Sequence, residues 1–247
     1  MSESSKNKVL RLAKNQQGRD FVVGDIHGNF DLLEIFLKDV DFDKSCDRLI
    51  SVGDVIDRGP DSVIAMDYVR EPWFFVVMGN HEAMLIGSQD RVYGMYELWM
   101  HNGGEWSEDE TDEKLDEMAT CFRSLPYVIE IETEEGKVGV VHADMPTTMS
   151  WDDTLEAIEN GKLKNKHMQV YLWSRDTYRR LKMKLEYPGA IKESFVEGVD
   201  RIFVGHSIVK QPTSYGNIMF IDTGAYTSGK LSFVDITNDE IIMVETA

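Results

Sequence analysis

Short apolar runs alternate with glycine-flanked polar turns and amphipathic segments from Asp20 onward. Between the runs, residues 32–40 and 63–69 place apolar side chains at helical spacing. This succession predicts βαβ units whose strands are buried on both faces, with Asn29 and Asp61 as candidate helix N-caps. The first three predicted strands are Phe21–Val23, Leu49–Val52 and Trp73–Met78.

The second half of the chain is richer in predicted strands. Before it, the stretch Tyr93–Phe122 predicts an interrupted helical insert outside the sheets, with Asn102-Gly103-Gly104 as the break. A hairpin is predicted where two apolar runs flank Glu134-Glu135-Gly136. The predicted strands of this half are Tyr127–Ile131, Val138–Val141, Ile202–Val204, Ile218–Ile221, Leu231–Ile236 and Ile241–Val244.

No internal repeat, low-complexity tract or proline-rich linker divides the chain. We therefore predict an α/β protein with mixed sheets and outer helices, built as one domain over residues 20–247. Residues 1–19 are predicted to form a polar N-terminal arm, and the helical insert is placed at about residues 90–122.

Composition limits the kinds of molecule that this protein could bind and the environment in which it could fold. The 247 residues carry 44 Asp and Glu against 26 Lys and Arg, a formal net charge of −18, which argues against a nucleic-acid partner. Cys46 and Cys121 lie far apart, so neither a disulfide framework nor a thiolate zinc site is indicated, and a reducing cytoplasm fits best. No uncharged apolar run reaches the ~18 residues of a membrane span, so no membrane partner is expected. The oligomeric state stays open.

Three polar motifs follow the first three predicted strands. They are Gly24-Asp25-Ile26-His27-Gly28, Gly53-Asp54-Val55-Ile56-Asp57-Arg58-Gly59 and Gly79-Asn80-His81-Glu82. Ligands of α/β sheets bind at such strand ends, so we expect the three motifs to converge on one crevice. Two more histidines, His142 in VVHAD and His206 in FVGHS, lie just beyond later strands.

Oxygen and imidazole donors without thiolates suit Mn²⁺, Fe or Zn²⁺. Two such ions about 3.5–4 Å apart require a bridging ligand, for which a carboxylate is suited. A single turn of this type is equally compatible with a capping Asp, and a lone His after a strand is more often a core residue. The constellation favours metal, because several unpaired polar groups buried together would each cost several kcal/mol.

The motifs GDIHG, GDVIDRG and GNHE, followed by VHAD, LWSRD and VGHS, resemble the metal-dependent phosphoprotein phosphatase family, including its bacteriophage lambda-like and bacterial members. The resemblance runs from about Asp20 to Ile236 in the family's order. It implies the fold of a calcineurin-like metallophosphoesterase, an α/β/β/α sandwich of two mixed sheets flanked by helices. It also implies two divalent metal ions, with Mn²⁺ favoured over Fe or Zn²⁺.

Residue roles follow from the resemblance position by position. One metal would be bound by Asp25, His27 and Asp54, and the other by Asp54, Asn80, His142 and His206, so that Asp54 bridges the pair. His81 resembles the family's general acid, with Asp57 holding its imidazole.

Arg58 and Arg175 would bind the phosphoryl oxygens of the substrate. For Arg175 a surface helix position is the alternative.

The implied activity is that of a protein serine/threonine phosphatase, with phosphotyrosine activity left open, in a bacterial or phage-infected host cytosol. Its substrates would be phosphorylated proteins or peptides, hydrolysed by direct attack of a hydroxide held between the metals. A cysteine-nucleophile mechanism is excluded, because neither cysteine begins a CxxxxxR loop.

Two alternatives remain. A symmetrical dinucleoside tetraphosphate hydrolase of the same superfamily shares the GDxHG and GDxxxRG turns, but Asp57 and Glu82 favour the phosphatase. A non-catalytic metal-bound scaffold would need neither His81 nor Arg58.

Two charged segments have simpler interpretations. Asp39, Asp41 and Asp43 alternate as in a calcium loop, but Lys44 stands at the required glycine position, so a solvated loop is predicted. The basic segment Lys162–Lys184 could attract phosphorylated or acidic substrates, although an ordinary charged helix face is the more economical interpretation.

Overall fold

The computed structural model describes residues 8–162 and 165–246, and the side chains of 165–167 are outside the description. The strands are β1 Val9–Leu12, β2 Asp20–Val23, β3 Arg48–Ser51, β4 Phe74–Val76, β5 Val128–Glu132, β6 Lys137–Val141, β7 Arg201–Val204, β8 Thr213–Tyr215, β9 Ile218–Phe220, β10 Lys230–Asp235 and β11 Glu240–Glu245. The α-helices are α1 Phe30–Asp39, α2 Ala65–Val69, α3 Asn80–Gln89, α4 Met95–His101, α5 Asp112–Phe122, α6 Trp151–Glu159, α7 Asn165–Trp173, α8 Asp176–Glu186 and α9 Ala225–Ser228.

The strands form two mixed sheets. One has five strands in the order β11, β10, β2, β3, β4, and the other has six in the order β1, β5, β6, β7, β9, β8. Within the first sheet β2, β3 and β4 run parallel, and within the second β6, β7 and β9 do. Each sheet thus presents three adjacent carboxyl strand ends at one edge.

The two sheets pack face to face through an apolar layer that draws on both. Val22, Ile50 and Val234 from the first sheet meet Ile129, Val140 and Phe203 from the second. A second apolar cluster packs α1, α3 and α5 over the outer face of the first sheet, and a third packs α6, α7 and α8 over the second. This layering confirms the predicted α/β/β/α sandwich.

Most predicted elements are present with shifted ends. The hairpin is confirmed, with β5 and β6 antiparallel from Val128↔Val141 to Glu132↔Lys137. In the stretch of the predicted helical insert, α4, the 3₁₀ turn Glu105–Asp109 and α5 follow one another around residues 102–104. The sequence pattern missed β1 and β8, because strands of four and three residues carry too little apolar alternation to be recognised.

The N-terminal segment differs from a detached polar arm. Residues 9–12 pair parallel with β5, from Val9↔Val128 to Leu12↔Ile131, and Leu12 is buried. Residues 1–7 of the predicted arm lie outside the described residues.

Asn29 and Asp61 stand at the predicted N-cap positions, Asn29 before α1 and Asp61 before the 3₁₀ turn Ser62–Ile64. Neither Asn29 nor Asp61 makes a side-chain cap hydrogen bond. The Asn29 amide instead donates to the carbonyls of Ile26 and His27, so it braces the turn that precedes α1.

The charged segments adopt local structure. Asp43 accepts hydrogen bonds from the backbone and hydroxyl of Ser45, which gives an exposed turn. The basic segment forms α7 and α8 where it is described, while Lys164 and the Lys166 side chain lie outside the described residues.

A buried ion pair anchors the entry to the first sheet. Asp20, at the start of β2, accepts from Arg48 Nε at 2.7 Å and from Arg48 Nη2 at 2.6 Å. Arg48 also donates to the Ala13 carbonyl at 3.0 Å, and Asn15 donates to Asp20. The pair therefore ties the segment after β1 to two strands, and its bidentate geometry compensates for the desolvation of Asp20.

Arg48→Met is expected to lower the free energy of unfolding by about 3 kcal/mol, because it leaves the Asp20 carboxylate buried without its charged partner. The control is Arg123→Met, whose partner Asp90 is exposed, and it should cost less than about 1 kcal/mol. Urea unfolding of both variants measures the difference. Equal losses would contradict the assigned role of the pair.

Candidate metal centre

The polar side chains of the sequence motifs meet where the two sets of parallel strands end. Strands β2, β3 and β4 are followed by the turns that carry the first three motifs. Strands β6 and β7 are followed directly or within two residues by His142 and His206. Hydrogen bonds, short polar contacts and the ring contact between His142 and His206 join Asp25, His27, Asp54, Asp57, Arg58, Asn80, His81, His142 and His206 into one cluster.

The turns hold these side chains in place with unusual backbone conformations. Positive φ angles occur at His27 (46°), Asp54 (50°), Asp57 (71°), Arg58 (69°) and His206 (61°). A non-glycine residue in this region costs of order 1 kcal/mol or more and persists only where surrounding structure enforces it. The motif residues are therefore positioned at a conformational cost, which is typical of functional sites.

Asp54 lies at the centre of the cluster and is buried. Its Oδ2 atom is 3.3 Å from His142 Nε2, 3.7 Å from His27 Nε2 and 3.8 Å from His81 Nε2. Its Oδ1 atom accepts the His81 backbone N–H at 3.0 Å. Burial raises the pKa of Asp54, but the neighbouring His142 and His81 imidazoles outweigh it and hold that pKa well below the ordinary value.

Asp25 is buried beside His206. Its Oδ2 atom accepts the His206 backbone N–H at 2.9 Å, whereas Oδ1 is buried without a hydrogen-bond partner among the described residues. Burial and the charges of Asp222 and Asp54 raise the pKa of Asp25 well above its ordinary value. Gly205 permits this approach, because a Cβ atom there would lie 1.8 Å from Asp25 Oδ1.

The imidazoles of His27 and His142 are oriented by backbone carbonyls. His27 Nδ1 is 2.8 Å from the Ile56 oxygen and His142 Nδ1 is 2.8 Å from the Val52 oxygen, so both Nδ1 atoms are donors. Their Nε2 atoms face Asp54, and in the neutral form of each ring Nε2 carries the lone pair. A carbonyl behind the ring is the usual way in which a metal-binding histidine is oriented.

His142 and Asn80 face each other across the site. His142 Nε2 lies 2.8 Å from Asn80 Oδ1, an acceptor, and close to the Asp54 carboxylate. Burial lowers the pKa of His142, but the Asp54 charge and hydrogen bond outweigh it and raise the pKa overall. The site thus stabilises a positive charge between these three side chains.

His206 completes this side of the cluster. Its ring packs against His142 with centroids 5.1 Å apart and against Trp173 at 6.0 Å. Burial and the charge of His142 lower the pKa of His206 to about 3. The ring is therefore neutral near pH 7 and available as a nitrogen donor.

His81 differs from the other imidazoles in its partners. Its Nδ1 atom is 2.6 Å from Asp57 Oδ2, and its Nε2 atom is buried without a hydrogen-bond partner among the described residues. Burial lowers the pKa of His81 to about 4. The Asp57 contact orients the ring so that Nε2 points at the same crevice as Asp54.

Asp57 is held by two tryptophans that the sequence analysis did not assign to it. Trp99 Nε1 donates to both carboxylate oxygens at 3.1 and 2.9 Å, and Trp106 Nε1 donates to Oδ1 at 2.7 Å. Both tryptophans belong to the helical insert, on α4 and the following 3₁₀ turn. Burial raises the pKa of Asp57, and the two indole hydrogen bonds oppose that rise.

Glu82 is a second residue whose role is visible only in the structure. Its buried carboxylate accepts the backbone N–H groups of Gly79 at 2.9 Å, Asp54 at 3.0 Å and Val55 at 2.9 Å. Burial and the Asp54 charge raise the pKa of Glu82 to about 7. Glu82 thereby joins the turns after β3 and β4 and sets their relative position.

The two arginines occupy different positions. Arg58 Nη1 contacts His27 Nε2 at 3.0 Å, and its guanidinium stacks over the Tyr226 ring at 4.6 Å. Arg175 is exposed at the N-cap of α8. It contributes to the lowered pKa of His206, which puts its charge on the His206 side of the crevice.

The donor set fits a pair of cations. Two groups of three side chains, His27 with Asp54 and His81, and Asp54 with His142 and His206, bring their ligand atoms within 4.8 Å of one another. The first group contains His81 in place of the expected Asp25, whose Oδ1 atom is buried without a hydrogen-bond partner among the described residues and whose Oδ2 atom accepts the His206 backbone N–H. Carboxylate, amide and imidazole donors with no thiolate suit Mn²⁺, Fe or Zn²⁺.

Comparisons with known proteins agree with this geometry. The family model of the calcineurin-like phosphoesterases matches residues 21–210. The chain is 37% identical to serine/threonine-protein phosphatase 2 of Salmonella typhimurium (strain LT2), over 87% of this chain and 92% of that protein. It is 30% identical to the symmetrical bis(5′-nucleosyl)-tetraphosphatase of Serratia proteamaculans (strain 568), over 64% of this chain and 51% of that protein.

A solved structure assigned to a diadenosine tetraphosphatase superposes with a TM-score of 0.68. It is 22% identical and covers 98% of this chain and 99% of that one, so it shows the shared fold. No helix among the described residues is long and apolar enough to cross a membrane. From its matched residues, its fold and its relatives, the chain belongs to the calcineurin-like phosphoesterase family.

Proposed function

We propose that this protein is a metal-dependent phosphatase that hydrolyses phosphoserine and phosphothreonine in proteins. The observation that carries the proposal is the buried cluster around Asp54, together with the His81 Nε2 atom, which faces it and has no hydrogen-bond partner among the described residues. The relatives named as serine/threonine phosphatases support the same substrate class, since they match over most of both chains.

Two metal positions are proposed. One would be held by Asp25, His27 and Asp54, and the other by Asp54, Asn80, His142 and His206. When bound, two divalent ions supply a nucleophilic water at neutral pH and neutralise charge on the phosphoryl oxygens. Mn²⁺ is the proposed metal, because the family resemblance favours it and oxygen and nitrogen donors without thiolate are compatible with it.

His81 is proposed as the general acid. Its ring is fixed by the Nδ1 contact with Asp57, so that in the protonated imidazolium form Nε2 can give a proton to the departing serine or threonine oxygen, and the negative phosphoryl group of the substrate favours that form. Asp57 holds the imidazole in the direction required for that transfer, and a carboxylate at Nδ1 stabilises the protonated ring. A purely metal-binding scaffold would not need the His81–Asp57 pair. Its presence therefore favours an enzyme.

Arg58 and Arg175 are proposed to bind the phosphoryl group. Arg58 is exposed and lies beside His27, with its plane set by Tyr226. A guanidinium is permanently charged and can donate two parallel hydrogen bonds to phosphoryl oxygens.

Hydrolysis of dinucleoside tetraphosphates is the second candidate, because several relatives carry that name. The Serratia relative matches over only 51% of its own length. Asp57 and Glu82, the two positions that favour the phosphatase in the sequence, are both buried and bonded into the site.

The first test compares substrates on protein loaded with Mn²⁺. A phosphoserine peptide should be hydrolysed with kcat/KM at least roughly 10-fold above that for a dinucleoside tetraphosphate, because Asp57 and His81 serve a monoester leaving group. Chelation should abolish both reactions, and Mn²⁺ should restore them. The opposite preference would establish the second candidate, and activity that survives chelation would refute the metal-dependent mechanism.

The second test separates the proposed acid from the metal ligands. His81→Asn should lower kcat for the phosphoserine peptide by roughly 100- to 10,000-fold, since the leaving oxygen loses its proton donor, while metal content stays unchanged. Asp57→Asn should give a smaller loss, because it only orients the ring.

The matched control for the acid is His101→Asn, an exposed histidine at the end of α4, which should behave as wild type. Metal content is measured by mass spectrometry of the purified variants. Loss of metal from His81→Asn would reassign that residue as a ligand.

A further inference from the structure

A groove of about 900 Å³ lies between α8 and residues 208–213. Its apolar lining includes Leu181, Leu185 and Ile208, and its polar lining includes Lys182, Lys210 and Lys230, so we call it the lysine-rimmed groove. Leu185 is 62% exposed and Ile208 is 38% exposed, which is unusual for large apolar side chains.

The lysine-rimmed groove is continuous with the elements that build the metal centre. Ile208 follows His206 by two residues, and Thr223, which also lines the groove, follows the buried Asp222. Tyr178 joins the two walls, because its hydroxyl donates to the Ile208 carbonyl at 2.9 Å. Arg175, proposed above to bind the phosphoryl group, lies three residues before Tyr178 in the sequence, and Tyr178 lines the groove.

The charge of the groove is opposite to that of the protein. The chain carries a net charge of −18, yet no Asp or Glu lines the groove. Lys182 and Lys210 form no ion pair with any carboxylate in the described part of the chain, while Lys230 pairs with the exposed Glu245. Two unpaired ammonium groups beside exposed apolar side chains form a surface complementary to an acidic, partly apolar peptide.

We propose that the lysine-rimmed groove binds the segment of a phosphoprotein substrate next to the phosphorylated residue, and that it selects segments with acidic and apolar side chains. This inference rests on the proposed function and specifies its substrate class. The apolar lining would bury a substrate side chain, and the lysines would stabilise carboxylates beside it.

The test uses the Mn²⁺-loaded full chain and two phosphoserine peptides of equal length, one with Glu and Leu and one with Lys and Gly next to the phosphoserine. The double variant Lys182→Glu with Lys210→Glu should lower kcat/KM for the acidic peptide about 10-fold, mainly through KM, and raise it for the basic peptide. Hydrolysis of p-nitrophenyl phosphate, which has no flanking segment, should be unchanged.

The control variant carries the same charge change elsewhere, as Lys38→Glu with Lys44→Glu, both on the exposed surface. It should leave the ratio of the two peptides as in wild type. An unchanged ratio in the groove variant would overturn the groove proposal while leaving the proposed function intact. Failure to hydrolyse either peptide would overturn both.

A separate observation concerns the two tryptophans on Asp57. Three N–H groups, from Trp99, Trp106 and His81, converge on two carboxylate oxygens. Such a set fixes the carboxylate plane, since rotation would break at least one hydrogen bond. We infer that Trp99 and Trp106 are positioning residues for the proposed acid, so that the helical insert takes part in catalysis through Asp57.

Leaving-group dependence tests this second inference. Phosphoserine leaves as a poor alkoxide and needs a proton, whereas p-nitrophenolate leaves without one. Trp106→Phe and Trp99→Phe should therefore lower kcat for a phosphoserine peptide about 10-fold more than kcat for p-nitrophenyl phosphate.

Trp151→Phe is the matched control, because its buried indole likewise donates to a buried carboxylate, that of Glu130, at 2.7 Å. Trp151 packs in the apolar cluster on the outer face of the second sheet. It should change both rates in parallel, as should any general loss of folding. Equal losses of kcat for the phosphoserine peptide and for p-nitrophenyl phosphate in the Trp99 and Trp106 variants would overturn the positioning role. The His81→Asn variant would still test separately whether His81 is the general acid.

Discussion

The structure depends on keeping the Asp54 carboxylate buried between two sheets. Removing a carboxylate from water is costly, and here no Lys or Arg ion pair compensates for it within the described residues. Compensation comes from three imidazoles within 4 Å and from one backbone N–H. These partners follow three different strands, β2, β4 and β6, and Asp54 itself follows a fourth, β3, so each of these strands must stop at a defined residue.

The supports of this arrangement are themselves buried and polar. Glu82 joins the turns after β3 and β4 through three backbone N–H groups, and carbonyls of Ile56 and Val52 orient the rings of His27 and His142. Positive φ angles at five motif residues add conformational strain that these bonds must offset. The protein thus gives up some folding stability to hold these side chains in fixed positions, as expected where donor atoms must be pre-organised for a ligand.

The strand ends and their motifs could be predicted because their information is local. A buried run followed by glycine and a polar residue, as at Val23-Gly24-Asp25, marks both the strand and the direction of the next side chain. The contacts between residues that are far apart in the sequence could not be predicted. Trp99 and Trp106 reach Asp57 from 42 and 49 residues away, and an indole within a helix is typically a core residue. Strand β1 is likewise defined by its pairing with β5, more than a hundred residues later.

The proposed second metal position draws Asp54 and Asn80 from one sheet and His142 and His206 from the other. Elsewhere the two sheets face each other largely through apolar side chains, whose hydrophobic attraction is non-directional. A bound cation would link the two sheets through its ligands. Because a ligand that binds only the native state stabilises that state, the cation would also raise the free energy of unfolding. Metal supply in the cell would then govern how long the protein survives proteases as well as how fast it turns over substrate.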